Sequence, residues 1–261
     1  MDQPHRTALD KTAARGNPSF VWRRGQERRL AMVRRWLPQP APDRPLLRAL
    51  DVGCGIGTYT AALSTCCSDV VGLEVEAERA VEALAAGLTV VQGVVEHLPF
   101  PSGAFDLVFS HEVLEHVRDD RSAAAEMVRV ARPGGRLIVF CPNRWYPFET
   151  HGHYWRGRYH FGNTPLINYL PDPLRNRLAP HVRAYSAARL RALFAGLPVR
   201  VLHHTQIYPG YDNLAARRPA VGRWVRRLTY GLEATPLRAL GLSHLLVLER
   251  EPDNPPDAGR R

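Results

Sequence analysis

The sequence has few cysteines, a single lysine and no long apolar segment. The four cysteines lack the spacing of metal ligands, so we expect reduced, buried thiols rather than a disulfide framework. They are Cys54, Cys66, Cys67 and Cys141. No apolar run approaches the length that crosses a bilayer, and no basic and apolar leader opens the chain. These absences predict a soluble, cytoplasmic protein, and they leave peripheral contact with a membrane open.

The scarcity of lysine leaves the positive charge to arginine, because Lys11 is the one lysine among 35 basic residues. Residues 46–141 carry 7 arginines and 13 acids, a net charge of −6, whereas residues 1–45 carry +6 and residues 142–261 carry +10. Basic segments around an acidic centre attract phosphates and anionic head groups. A codon bias towards arginine is the alternative explanation, and it needs no partner.

A glycine-rich turn stands near the start of the acidic centre. An apolar run ends at Asp51, and Gly53, Gly55 and Gly57 follow at alternate positions before a predicted helix. Such glycines leave backbone N–H groups accessible at a helix N-terminus and remove the Cβ atoms that would hold a ligand away. The dinucleotide fingerprint places its third glycine three residues after the second, whereas Gly57 follows Gly55 by two. A nicotinamide site and a purely structural turn remain as alternatives.

The alternation of apolar runs and helical patterns predicts an α/β fold with a doubly wound sheet and helices on both faces. The expected organisation is a basic helical extension over 1–45, one domain over 46–250 and a disordered tail over 251–261. The predicted strands are 47–52, 69–74, 88–93, 105–109, 136–141, 198–207 and 243–249, and the predicted helices are 21–37, 57–66, 76–86, 121–131 and 185–195.

The glycine turn and its surroundings resemble motif I of the class I S-adenosylmethionine (SAM)-dependent methyltransferases, of the type 11 kind. The resemblance covers residues 46–141 closely and 142–250 loosely. It implies a seven-stranded Rossmann-like sheet whose last strand is reversed, with SAM bound at Asp51 and the three glycines. It also implies that Glu74, at the end of the second strand, holds the ribose hydroxyls. A solvated acid that caps the next helix is the alternative for Glu74.

The contact with adenine departs from the family pattern. Relatives usually carry an acid directly after the glycine of the third strand, whereas this chain has Val94 there. Either Glu96 reaches the adenine, or backbone and apolar contacts hold it. Ser110 comes directly after the fourth strand, where doubly wound sheets bind their ligands, and it completes the predicted cofactor contacts.

A possible metal site follows the fourth strand. In a helix over 112–117, Glu112, Glu115 and His116 would share one face, and they offer ligands for a divalent cation such as Mg²⁺. The same Glu-x-x-Glu-His supplies metal ligands in two groups of O-methyltransferases that resemble this chain, one acting on ubiquinone intermediates and one on the terminal ribose of small RNAs. The RNA group adds a histidine before a later helix, which makes His181 a candidate fourth ligand. In many related methyltransferases these residues line the pocket without an established metal.

The segment 142–184 is too long for a simple connection and is rich in aromatic residues and histidine, so we expect a substrate-side insertion or lid. A hydroxyl acceptor must lose its proton, and a neutral imidazole removes one near pH 7. The candidate catalytic residues are therefore His111, His116, His151 and His153, and the pair His151 and His153 could equally be metal ligands or packing residues. Within the segment, 155–170 mixes aromatic and apolar residues with arginine, which suits either a membrane surface or a lid over a soluble aromatic substrate.

The leading hypothesis is a SAM-dependent methyltransferase that methylates a hydroxyl of a small or lipid-like molecule, similar to the quinone-pathway O-methyltransferases. The first alternative is methylation of RNA ribose 2′-hydroxyls, which the basic flanks permit although no RNA-binding module is recognisable. The second is a non-catalytic SAM-binding or scaffold protein. The complete cofactor motif argues against that second alternative.

Overall fold

A computed structural model describes residues 22–39 and 47–252. Residues 1–21 and 40–46 lie outside the described residues, and part of the predicted N-terminal extension over 1–45 falls there; residues 253–261 of the predicted disordered tail also lie outside them. The predicted first helix is present between Arg24 and Arg35. Within the described ranges, no helix combines the length and the apolar character needed to cross a membrane.

Strands and helices alternate as the sequence predicts. In chain order the strands are β1 (Arg48–Val52), β2 (Asp69–Glu74), β3 (Thr89–Gln92), β4 (Phe105–His111), β5 (Ala131–Pro142), β6 (Phe148–Glu149), β7 (His153–Trp155), β8 (Arg158–His160), β9 (Thr164–Pro165), β10 (Val199–Ile207) and β11 (Ser243–Arg250). The helices are α1 (Arg24–Arg35), α2 (Thr58–Leu63), α3 (Ala77–Ala85), α4 (Asp120–Val130), α5 (Asp172–Leu178), α6 (Ala187–Ala192), α7 (Asp212–Arg217) and α8 (Pro219–Leu232).

Seven strands form one sheet in the order β10-β11-β5-β4-β1-β2-β3. Strands β1 to β5 pair in parallel, whereas β11 is antiparallel to both β5 and β10. The predicted doubly wound sheet with a reversed last strand is confirmed.

Helices cover both faces of the sheet because successive strand residues point to opposite sides. Val108 packs into a buried cluster with residues of α4. Its neighbours Leu107 and Phe109 pack on the other side, with Leu30 of α1 and Leu63 of α2. The core therefore lies in two layers, one on each face of the sheet.

The carboxyl ends of the central strands meet at one edge, which we call the carboxyl edge. Val52 of β1 lies beside Ser110 of β4. Pro142 of β5 lies beside Ser243 of β11, which pairs in turn with Ile207, the last residue of β10. Two long excursions, 143–198 and 208–242, therefore leave the sheet at the edge where the glycine turn lies.

Candidate functional site

The glycine turn between β1 and α2 adopts backbone conformations that favour glycine. Gly53 has a φ of +68° and Gly57 has a φ of +85°. A Cβ on Gly53 would stand 2.5 Å from the Val113 side chain, and Gly53 also lines the cavity described below. Glycine at this position therefore both makes the turn and keeps the cavity open.

Glu74 holds the glycine turn in place from the neighbouring strand. Its carboxylate is 4% exposed and accepts hydrogen bonds from the backbone N–H groups of Gly55 and Glu76, each at 2.8 Å. Glu76 is the N-cap residue of α3, so Glu74 also satisfies a backbone group at the start of that helix. Glu74 is therefore buried and is not the solvated acid of the alternative prediction. It also lines the cavity described below.

Two predicted cofactor residues lie behind the turn. Asp51 is 2% exposed and accepts a hydrogen bond of 2.7 Å from the Thr60 hydroxyl, and burial raises its pKa to about 7. Ser110 is fully buried, and its hydroxyl has no partner among the described residues. Neither residue lines the cavity. Because Thr60 belongs to α2, its hydrogen bond to Asp51 ties the end of β1 to that helix and so stabilises the turn between them.

A cavity of about 630 Å³ runs along the carboxyl edge from the glycine turn to the segment after β4. This volume lies within the range of small-molecule sites. Three residues predicted to bind the cofactor line this cavity: Gly53, Glu74 and Glu96. Two residues of the predicted metal site, Glu112 and His116, also line it.

The adenine side of the cavity combines an apolar and an acidic wall. Val94 lines the cavity with 43% of its surface exposed. Glu96 also lines it, but one of its carboxylate oxygens accepts a hydrogen bond of 2.9 Å from the Arg118 backbone N–H. Glu96 therefore fixes the loop that follows the predicted metal motif, and its second oxygen has no hydrogen bond from a described residue.

The segment 112–117 forms turns and not the helix considered from the sequence. Glu112 has a φ of +57°, outside the helical region, and its backbone N–H still bonds to the Phe140 carbonyl of β5. Distant residues take the carbonyls that a helix would use: the Tyr185 hydroxyl bonds to Leu114, and the Arg183 backbone N–H bonds to Glu115. Residues 68 and 71 positions away in sequence thus set the conformation of this motif.

The turn brings two predicted residues together with a histidine of the insertion. Ligand atoms of Glu115, His116 and His151 all lie within 4.8 Å of one another, the single such group of three among the described residues. The Nε2 atom of His151 lies 3.9 Å from Glu115 and 3.9 Å from Glu112. The group contains His151 and not the predicted His181, whose Nε2 lies 3.1 Å from the His151 carbonyl oxygen.

The two glutamates have opposite tendencies to ionise. Burial, and then the nearby Glu112, raise the pKa of Glu115 well above its usual value. Removal from bulk water would also raise the pKa of Glu112, but His111, Arg29, His151 and the Ser243 hydroxyl together lower it to about 2. Glu115 is 1% exposed, and its carboxyl oxygens accept no hydrogen bond from the described residues.

The imidazole of His116 is neutral at pH 7, because burial and the neighbouring His151 lower its pKa to about 4. Its ring lies edge-on to that of His151, with 5.5 Å between the ring centres. The Nδ1 atom of His116 lies 3.4 Å from the His181 carbonyl oxygen, and its Nε2 atom lies 4.0 Å from Glu115.

Sequence reasoning missed two residues that position His151. Glu149 accepts a hydrogen bond of 3.0 Å from the His151 backbone N–H, and its carboxylate lies 3.1 Å from His151 Nδ1. Arg175 of α5 is 1% exposed and donates to the other carboxylate oxygen of Glu149 at 2.8 Å. Although burial would raise the pKa of Glu149, His151 and Arg175 lower it to about 2. No motif marks either residue, since only the folded insertion brings them together.

Two of the predicted catalytic histidines lie elsewhere. The ring of His111 packs against Tyr59, with 4.7 Å between the ring centres, and burial lowers its pKa to about 3. His153 stacks on His160, and its Nδ1 lies 3.0 Å from the Thr164 hydroxyl. Neither residue lines the cavity or joins the group around Glu115.

Comparisons with known proteins agree with this geometry. Residues 50–139 match the family described as "Methyltransferase domain". The chain is 36% identical over 124 residues to a probable tocopherol O-methyltransferase of Oryza sativa subsp. japonica, covering 43% of this chain and 34% of that protein. It is 38% identical over 104 residues to a ubiquinone biosynthesis O-methyltransferase of Pectobacterium atrosepticum, covering 37% of this chain and 43% of that protein. The chain thus spans less than half the length of these curated relatives.

The fold is also that of a solved SAM-dependent methyltransferase. The structure of the S-adenosylmethionine-dependent methyltransferase from Mesorhizobium loti superposes with a TM-score of 0.57 at 20% identity, covering 84% of this chain and 96% of that one. At this identity the likeness concerns the fold alone. Residues 50–139 are therefore identified as a methyltransferase domain, and the chain shares its fold with a SAM-dependent methyltransferase.

Proposed function

We propose that this protein transfers the methyl group of SAM to a hydroxyl of a small or lipid-like acceptor. The observation that carries the proposal is the single cavity that joins the glycine turn and Glu74 at one end to Glu112 and His116 at the other. One end has the features of a cofactor site, and the other has groups that can accept a proton. A shared cavity lets donor and acceptor meet in one protected space.

At the cofactor end, the chain supplies a glycine turn, a buried carboxylate and an apolar wall. Glu74 keeps two carboxylate oxygens at the cavity, where each can accept a further hydrogen bond from a ribose hydroxyl. Val94 offers an apolar surface for the adenine ring. SAM supplies a methyl group already activated on a sulfonium, so the protein mainly has to align it and exclude water.

At the acceptor end, we assign the proton-accepting role to His151. Glu149 faces its Nδ1 atom, which favours a proton on that nitrogen and leaves the lone pair on Nε2. Nε2 lies 3.9 Å from Glu112, which lines the cavity, and 3.9 Å from the buried Glu115. The buried Arg175 keeps Glu149 ionised, so the pair holds the imidazole in one tautomer and one orientation.

The same residues fit a divalent cation, which we include in the proposal. Glu115, His116 and His151 would be the ligands, because their ligand atoms converge and the Glu115 oxygens accept no hydrogen bond from the described residues. A bound cation would lower the pKa of the acceptor hydroxyl. Two imidazoles and one carboxylate suit a borderline cation such as Mn²⁺ or Zn²⁺ better than the Mg²⁺ expected from the sequence.

The lipid-like acceptor is supported by the names of the relatives and by the exposed insertion. Trp155, Phe161 and Leu166 are 56%, 66% and 60% exposed, whereas Ile167 is buried. Exposed aromatic side chains between arginines are typical of segments that lie at a membrane surface. We therefore propose that 155–170 contacts the membrane or a lipid-like acceptor.

The first test is calorimetric titration of SAM into the purified protein. We expect micromolar binding that weakens at least tenfold in Glu74→Ala and is unchanged in Glu82→Ala, a control on the exposed face of α3. Absence of SAM binding to folded wild-type protein would refute the cofactor assignment and favour a scaffold role.

The second test separates the metal from the base. Transfer of a labelled methyl group to a panel of hydroxylated aromatic lipids should be measured with a chelator, and again after adding back Mg²⁺, Mn²⁺ or Zn²⁺. A metal role predicts loss of activity with the chelator and in Glu115→Gln, with SAM binding preserved. Unchanged turnover in both cases would exclude the metal and leave His151 as the base.

A further inference from the structure

Helix α8, which lies between β10 and β11, presents an apolar stripe to solvent. Val221, Trp224 and Leu228 are 44%, 65% and 49% exposed, and their spacing of three and four residues places them on one face of the helix. The other face is packed against the protein, with Gly222 against Ala215 of α7. The helix is therefore held in place by its inner face, and its outer apolar face is unpartnered among the described residues.

The excursion 208–242 also carries five exposed arginines, two of which lie on α8 itself. They are Arg217, Arg218, Arg223, Arg227 and Arg238. None of their side chains forms a hydrogen bond or an ion pair with a residue in the described ranges. The two acids of the excursion 208–242 are used internally, since Asp212 pairs with Arg226 and Glu233 pairs with Arg28 of α1. The exposed charge that this excursion contributes is therefore positive.

The excursion that carries α8 is anchored beside the cavity. It leaves the sheet after Ile207 and returns at Ser243, and both residues lie at the carboxyl edge. The Ser243 hydroxyl donates a hydrogen bond of 2.8 Å to Glu112, which lines the cavity. A surface bound by α8 would therefore lie on the side of the molecule where the acceptor has to enter.

We propose that α8 docks on a membrane that contains anionic lipids, with Val221, Trp224 and Leu228 inserted among the head groups and the arginines bound to phosphates. An amphipathic helix with tryptophan on its apolar face and arginine beside it has the composition of an interfacial helix. The link to catalysis rests on the proposed lipid-like acceptor, but the docking itself rests on the exposed helix. This surface is distinct from the segment 155–170.

Parts of this chain outside the described residues are poor occupants of the surface. Residues 1–21 carry three basic and two acidic side chains, residues 40–46 carry one of each, and residues 253–261 carry two of each and no large apolar side chain. None of these segments provides the negative charge that would complement five exposed arginines. An anionic surface provides both the charge and an apolar interior for the stripe.

Flotation with lipid vesicles tests the proposal, in the absence of SAM and acceptor. We expect the wild-type protein to float with phosphatidylcholine vesicles that contain about 30 mol% phosphatidylglycerol, and not with pure phosphatidylcholine. The triple variant Val221→Gln/Trp224→Gln/Leu228→Gln should bind the anionic vesicles at least tenfold more weakly. The double variant Arg223→Gln/Arg227→Gln should lose several-fold, and raised salt should reduce wild-type binding.

The matched control is Val81→Gln/Leu84→Gln on α3, which removes two apolar side chains that are 63% and 49% exposed on a helix bearing acids. It should float like the wild type. A second comparison, Trp155→Gln, measures the contribution of the insertion separately.

Three results would overturn the proposal. The first is that the wild type fails to float with anionic vesicles. The second is that the triple variant retains its melting temperature and floats as well as the wild type. Alternatively, sedimentation shows a dimer or an RNA complex that the triple variant loses while vesicle binding is unchanged. Calorimetry with SAM on the same proteins keeps the two proposals apart, because vesicle binding without SAM binding would refute the enzyme and leave the docking surface standing.

Discussion

The two ends of the cavity are built in different ways. At the cofactor end, Glu74 holds Gly55 from only 19 positions away along the chain, across two adjacent strands. At the acceptor end, Glu115 and His116 meet His151, which is held by Glu149 and by Arg175 of the insertion. The first end is a local motif, whereas the second depends on a long excursion that folds back. We therefore expect substitutions in the insertion to damage the acceptor end and leave SAM binding intact.

The largest expected effect is that of Arg175→Met. This substitution leaves the buried carboxylate of Glu149 without its partner, which typically costs about 3–5 kcal/mol. The free energy of unfolding, measured by chemical denaturation, should fall by that amount. The control Arg177→Met changes an exposed arginine of the same helix and should cost less than about 1 kcal/mol.

A double variant that also removes the negative charge of Glu149 separates the effect of charge from that of packing. The double variant Glu149→Gln/Arg175→Met should recover part of the lost stability, because no unpaired buried charge remains. An equal loss in the single and double variants would show that packing rather than charge is responsible.

The next effect concerns turnover and compares two histidines of the insertion. His151→Gln should lower kcat by about 10²–10⁴-fold, the range for loss of a general base or an essential ligand, with the Kd for SAM unchanged. His153→Gln should change kcat less than about threefold, because His153 is bound to Thr164 and stands apart from the group. A steady-state assay with calorimetry on each variant measures both quantities, and equal losses in the two variants would remove His151 from its assigned role.

At the cofactor end, Gly53→Ala should weaken SAM binding at least tenfold. The new Cβ would lie against Val113, and the backbone at φ +68° would cost an alanine about 1–2 kcal/mol of stability. Gly87→Ala has a similar φ of +80° but no atom within 4 Å of its Cβ, so it isolates the backbone strain. If both variants lose the same stability and only Gly53→Ala loses SAM affinity, the contact at the cavity is responsible.

The most gradual expected effect is a pH dependence of stability from Asp51. Its pKa is raised to about 7 in the folded state, so the folded protein binds this proton more tightly than the unfolded chain. Stability should therefore fall as the pH rises from about 4 to about 7, by at most about 1.4 kcal/mol per pH unit. Asp51→Asn should flatten this part of the profile of unfolding free energy against pH. An unchanged slope would show that Asp51 ionises normally in the folded protein.

The sequence predicted the sheet well because its information is local. The strand predicted at 69–74 has the same bounds as β2, and the predicted reversal of the last strand, β11, is confirmed. The glycine turn and Glu74 were also found, since both are defined by residues a few positions from a strand end. The sequence did not show that the Asp51 side chain is buried and lies outside the cavity.

The acceptor end could be predicted only in part. Glu115 and His116 were identified from their spacing, but the helix considered for them does not form, because Tyr185 and Arg183 bind its carbonyl groups. The predicted fourth ligand, His181, stands beside the group, and His151 joins it instead. Whether these residues hold a metal remains a prediction.

The sequence by itself determined the fold class, the place of the cofactor turn and the uneven distribution of charge. Each depends on contacts between neighbours or between adjacent strands, and apolar periodicity and glycine spacing encode such contacts directly. Only the tertiary structure decided which histidine meets Glu115, that Glu149 and Arg175 support it, and that α8 presents Trp224 to solvent. Those features depend on where two long excursions return to the sheet, and this path is set by the packing of the whole chain.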